Sequence, residues 1–172
     1  MDEIINSLET AVSNKNWYGA LFIALSLPDI CGKIDALYKG SGARYASWFE
    51  QYIQSKYTHV NEYKNETTIS LSGNDCYALK CAYLHEGVGD ITNQRAREAV
   101  DNFHFIAPIN NMIIHCNKMN NKLQLQVDIF CTDIIDGTKL WLSEIEKGDP
   151  RSSKIQNLLS IQLSETDGSI SI

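Results

Sequence analysis

The sequence predicts a mainly α-helical protein, a helical bundle carrying a small β-hairpin or sheet insertion near residues 103–127. Three observations predict it. Apolar residues recur at three- and four-residue spacing through much of the first hundred positions. Only three prolines interrupt 172 residues. Short strand-like runs collect after Asn102.

Asp2 to Val12 sets Ile4, Ile5, Leu8 and Val12 on one helical face, and Ser13-Asn14-Lys15-Asn16 ends that helix while offering a cap for the next. Trp17 to Leu27 is apolar on nearly every side, as expected of a helix central to a core. Pro28 lacks the donor an interior position needs, so a kink is expected there, or a restart into a helix running to Tyr38. Lys39-Gly40-Ser41-Gly42 breaks the chain, after which Tyr45, Trp48, Phe49, Tyr52 and Ile53 line one aromatic helical face. His59 to Thr68 is polar and reads as a loop.

Ser72 opens another helix as its cap, with Asp75 three residues on, where an acid suits a helix start; the helix stops near Gly87. Thr92 is placed to cap a short helix through Val100. Phe103 to Ala107 reads as a strand, and Asn111–Cys116 with Lys122–Val127 reads as a hairpin around Asn117–Asn121. Asp128 to Glu146 returns to helical spacing. The expected organisation is one domain over residues 1–148 and a loosely docked or partly ordered tail over 149–172.

Composition narrows the function. Fifteen Lys and Arg face 21 Asp and Glu, a net charge of −6, so a sequence-blind binder of duplex DNA is not expected: such proteins need many cations to displace counterions from phosphate. A local basic pocket stays open. The 44% hydrophobic content is that of a globular chain rather than a disordered one. The start, Met1-Asp2-Glu3, is acidic where a signal peptide is basic, and Gly19–Leu27 is too short to span a bilayer. Five cysteines form no CxxC pair, which suits reduced thiols in a cytoplasmic protein. No phosphate loop, GxGxxG, GxSxG or HExxH occurs, and Asp128, Asp133 and Asp136 do not gather on one chelating face, so neither cofactor nor metal is expected. His104 and His115 read as ordinary sheet histidines.

The stretch richest in chemistry runs from Ser72 to Gly87. Lys80 and His85 lie five residues apart, about one and a half turns. Near a helix end, an imidazole can turn into a cleft that the lysine also reaches. A nearby cation favours the neutral imidazole and stabilises negative charge on phosphate. Those are the requirements of metal-independent phosphodiester cleavage, with His85 as acid or base, Lys80 as the transition-state cation, and Asn74 or Asp75 as orienting groups.

A basic residue, four intervening residues and a histidine near a helix end, with polar Asn74 and Asp75 upstream, resembles the signature of HEPN (higher eukaryote and prokaryote nucleotide-binding) domains. That family is helical, many members are metal-independent ribonucleases, and two copies usually share one cleft. Lys80 stands where the family carries arginine, so it offers a point charge instead of a bidentate fork. Leu27–Lys33 and Leu71–Gly87 are also similar to a set of small bacterial and phage proteins. The resemblance implies a nucleotide or RNA ligand, a conflict-system role and a homodimer.

A second candidate is Gly40–Trp48, whose glycine turn offers backbone donors to an anion, with Arg44 adding charge and Tyr45 or Trp48 a stacking plane. Glu86, beside His85, joins Arg44, Tyr45 and Trp48 as a ligand-binding candidate. Arg95 and Arg97 are two apart and read as solvated. Three functions follow as expectations: a binder of a nucleotide-type ligand, a ribonuclease, or a dimerising module using the Tyr45-Trp48-Phe49-Tyr52 face.

Overall fold

The computed structural model describes residues 1–36, 40–110 and 112–161. Their fold is mainly α with small β additions, as the sequence predicts. Helix α1 (Asp2–Ser13) buries Ile5 and Leu8, and α2 (Trp17–Asp35) follows after the Asn16 side chain caps it by accepting from Gly19 N at 3.2 Å. Helix α3 (Ser41–Tyr52) leads through a 3-10 turn (Gln54–Tyr57) into a hairpin of β1 (Thr58–Asn61) and β2 (Glu66–Ile69). Helix α4 (Gly73–Glu86) then packs on α3 and, more lightly, on α2.

A three-stranded sheet follows in the order β3-β5-β4, with β3 (Asn102–Ile106) parallel and β4 (Asn117–Met119) antiparallel to the central β5 (Lys122–Gln126). Helix α5 (Val127–Ser143) leaves β5 directly and returns along α2 and α1. A short α6 (Pro150–Gln156) closes the described chain. The core joins α1–α5 to the inward side chains Phe103, Leu123 and Leu125 of the sheet.

Glycines let these helices approach closely. A β-carbon on Gly32 would lie 2.7 Å from the Arg44 carbonyl oxygen, and one on Gly73 would lie 2.6 Å from that of Ala46. The start of α3 therefore sits against the end of α2, and the start of α4 against α3.

Several expectations are corrected. Pro28 neither restarts nor ends α2, because the surrounding burial of Ala24, Leu25, Leu27 and Cys31 outweighs the missing amide bond. The helix ends at Asp35 with Ala36 in the left-handed conformation, short of the expected Tyr38, which lies outside the described residues. His59 to Thr68 is a hairpin, not a loop: both strands are almost wholly exposed, so no apolar alternation marks them.

Residues 92–100 form turns in place of a helix, since Thr92 gives its N–H and hydroxyl to Asp90 Oδ1, at 2.9 and 2.7 Å. The later hairpin pairs 117–119 with 122–124, because Asn120 and Asn121 both take positive φ and make a two-residue turn inside the segment read as a longer loop. The opening residues of the expected tail, through α6, dock on α2. Asp149 caps α6, Arg151 bridges Asp149 and Asp35, and Lys154 Nζ donates to the Ile34 carbonyl at 2.6 Å.

Candidate functional site

The two phrases singled out in the sequence meet in space. Asp29, Ile30 and Lys33 from α2 face Lys80 from α4, and Ser41 and Arg44 from the start of α3 close the third side of a cavity of about 410 Å³. The close contact at Gly32 brings α3 to this position. Lys80 Nζ lies 2.9 Å from Asp29 Oδ2, and its side chain is only 14% exposed. The Tyr77 ring also sits under the ammonium, 5.6 Å from its centroid. Burial pulls the Lys80 pKa down, but the hydrogen bond and charge of Asp29 outweigh it and raise the pKa above that of an ordinary lysine. Lys80 is therefore a fixed cation. Lys33 is exposed and Arg44 half-buried, so among the described residues three cationic side chains and one carboxylate line the cavity.

His85 does not join them. Five residues further along α4 it projects about 140° away from Lys80, and it is exposed and absent from the cavity wall. The lysine and histidine of the motif thus lie on different faces. Glu86 is exposed beside His85 and accepts from Gln94 Nε2 at 3.4 Å, again away from Lys80.

The upstream polar pair is committed to the fold. Asp75 is 1% exposed; it accepts from Glu98 N at 2.7 Å and Ala99 N at 3.2 Å, while its own N–H goes to the capping Ser72 hydroxyl at 3.1 Å. Asn74 Nδ2 donates to Glu98 Oε1 at 2.7 Å. Both therefore pin the 92–100 turns to the start of α4 instead of orienting a reacting group.

Two expected stacking residues are interior. Tyr45 is fully buried with its hydroxyl 3.4 Å from Cys76 Sγ, and Trp48 is 2% exposed. A base cannot reach either ring in the folded chain. Phe49 and Tyr52 are buried with them, which removes the aromatic face proposed for dimerisation. Arg97 is not simply solvated: it pairs with Asp101.

The sequence did not reveal a second polar cluster, built around Asp133. Asp133 Oδ2 accepts from the buried Tyr57 hydroxyl at 2.9 Å, and its Oδ1 accepts from Lys56 Nζ at 2.8 Å. The His115 ring lies 5.5 Å from that of Tyr57, and its Nδ1 accepts from Gln126 N at 3.2 Å. Burial lowers the His115 pKa, only partly offset by Asp133 and Asp128. Lys56 and Tyr57 stand 77 and 76 positions from Asp133, so no local spacing announces the group.

The three buried cysteines offer no nucleophile. Burial pushes the Cys76 and Cys131 thiols up to about 12 and Cys31 higher still, which holds them as thiols at neutral pH. Among the described residues no group of His, Cys, Asp or Glu is arranged to hold a metal ion, and no helix is long and apolar enough to cross a membrane. Comparison of the chain with protein-family models, curated proteins and solved structures finds no match.

Proposed function

We propose that the protein binds a phosphate-bearing, nucleotide-type ligand without cleaving it, in the cavity between α2, α3 and α4. One observation carries this reading: Lys33, Arg44 and Lys80 line that cavity, where Asp29 is the one carboxylate among the described residues, in a chain whose net charge is −6. Surrounding negative charge repels polyanions in general, and a local excess of cation selects a compact anion that reaches the cavity. Lys80 is held in place by Asp29, so a phosphate would meet a preorganised ammonium, and Ser41 at the start of α3 adds a hydroxyl.

The separation of His85 from Lys80 favours the binder over the ribonuclease. Phosphodiester cleavage needs a base within hydrogen-bond reach of the ribose hydroxyl while the cation contacts the same phosphate. In this reading the HEPN likeness is one of helical setting and ligand class, and the protein would act in a bacterial or phage conflict system by sequestering its ligand in the cytoplasm.

Mass spectrometry of small molecules released from the purified protein, run beside a metal-free RNA cleavage assay, tests the reading. A released nucleotide with intact RNA supports it. RNA cleavage abolished by His85→Ala would overturn it in favour of the nuclease, and protein that releases no phosphate compound and takes none up would overturn both.

A further inference from the structure

We propose that a second cleft, between the first turns of α2, the end of α4 and strand β3, binds a small, uncharged, planar aromatic molecule carrying one hydrogen-bond acceptor. The cleft encloses about 290 Å³ and is walled by the rings of Trp17, Tyr18, Tyr83, Phe103 and Phe105. None of its lining side chains is charged. That volume lies at the small end of ligand sites and suits one or two fused rings; an α-helix, roughly 10 Å across, does not fit. Five aromatic walls offer edge and face contacts to a flat ring that a saturated skeleton of equal size would not exploit as well.

Tyr83 supplies the polar specificity. Its hydroxyl oxygen is buried and has no hydrogen-bond partner among the described residues, which is uncommon for a buried polar atom. Burial, and then the neighbouring Tyr18, raise its pKa, so the group stays an O–H donor. The Phe22 ring, 4.9 Å away in a tilted arrangement, steadies the Tyr83 ring. At the mouth, Tyr18 is 76% exposed, and nothing lies within 4 Å of where a Gly87 β-carbon would stand, so the entrance is open. The cleft is distinct from the cationic cavity: the two share no lining residue, and along α2 Leu21 of the cleft is about 7.5 Å from Ser26 of the cavity.

Trp17 provides a built-in reporter, since it alone of the three tryptophans lines the cleft, while Trp48 and Trp141 are buried elsewhere. The experiment follows the three indole N–H resonances of ¹⁵N-tryptophan-labelled full-length protein during titration with quinoline, naphthalene and cis-decalin. Trp17→Phe assigns its signal. Quinoline should shift the Trp17 signal saturably and leave the other two in place. Naphthalene should bind about tenfold more weakly, as for one lost hydrogen bond in a dry site, and decalin should not register. Tyr83→Phe should weaken quinoline about tenfold and leave naphthalene unchanged. Ala107→Trp, at the exposed rim, should block both aromatic probes with the melting temperature unchanged. The proposal is overturned if quinoline leaves Trp17 unmoved, if decalin binds as well as quinoline, or if Tyr83→Phe binds quinoline as wild type does. Titration with inorganic phosphate reports separately on the cationic cavity, so failure of one site is distinguishable from failure of the other.

Discussion

The first turn of α4 and its last turn are furnished with similar polar residues, yet the fold uses them in opposite ways. Asn74 and Asp75 are tied to Glu98 and Ala99 of the 92–100 turns, and Asp75 is almost inaccessible. His85 and Glu86 stand in solvent beside the Gly87 left-handed cap. Between these ends, Lys80 is neither fully locked nor free: it is paired with Asp29 at the edge of a cavity. A contiguous motif on one helix therefore divides into a structural clamp, a cavity-lining cation and a surface histidine. Adjacency in sequence says nothing about which partner each residue meets, because successive helical positions turn by about 100°.

That division has measurable consequences. Breaking the clamp should cost most. Asp75→Ala orphans two backbone donors and removes a buried carboxylate, so it should lower stability by about 3 kcal/mol. In a chain of this size that is roughly a 10 °C fall in melting temperature, read by calorimetry. A shift under about 2 °C would mean that the clamp is not needed.

Next comes Lys80. Lys80→Ala strands the partly buried Asp29 carboxylate and should cost about 1–2 kcal/mol, while adding Asp29→Asn should return part of it. Additive losses in this double-mutant cycle would deny the pair.

A smaller effect concerns His115, away from α4. Its folded pKa lies below the ordinary 6.5, so the unfolded chain binds the proton first as pH falls. The stability involved is present above about pH 6.5, is lost as pH drops from there to the lowered folded value, and is constant below it. The groups facing it are Asp133, Asp128, Tyr57 and Gln126. His115→Gln should flatten that part of the melting profile, and an unchanged slope would place its origin elsewhere.

The least disturbing change is His85→Ala. As an exposed side chain at a helix end it should alter stability by no more than about 0.5 kcal/mol. A melt several degrees lower would reveal an unrecognised structural role.

Much of the helical framework was legible because its apolar periodicity is strong: α1, the aromatic face of α3, the Ser72 cap and Gly87 stop of α4, and most of α5 stand close to where the spacing puts them. Tertiary burial hid the rest. Pro28 reads as a breaker only until its buried neighbours are known. Strands β1 and β2 have no inward face to betray them, and the parallel pairing of β3 with β5 joins segments twenty residues apart. At the site, Lys80 and Arg44 were legible as cations and do share a cavity. Lys33 lay within the Leu27–Lys33 phrase but was not singled out as a ligand group, because only the α2–α4 contact brings it opposite Lys80. Tyr45 and Trp48 misled because an aromatic stripe at helical spacing looks the same whether it meets a ligand or a core.

The central claim is that the α2–α3–α4 cavity binds phosphate through its cations and that His85 takes no part. Calorimetric titration of adenosine 5′-diphosphate into wild type, Lys33→Glu and His85→Ala tests it most directly. Lys33 is exposed, so reversing its charge leaves the fold intact while opposing the ligand. The expected result is saturable binding to wild type, affinity lowered about tenfold or more in Lys33→Glu, and affinity within about twofold of wild type in His85→Ala. Binding that survives Lys33→Glu and disappears in His85→Ala would contradict the claim and return the active surface to the end of α4.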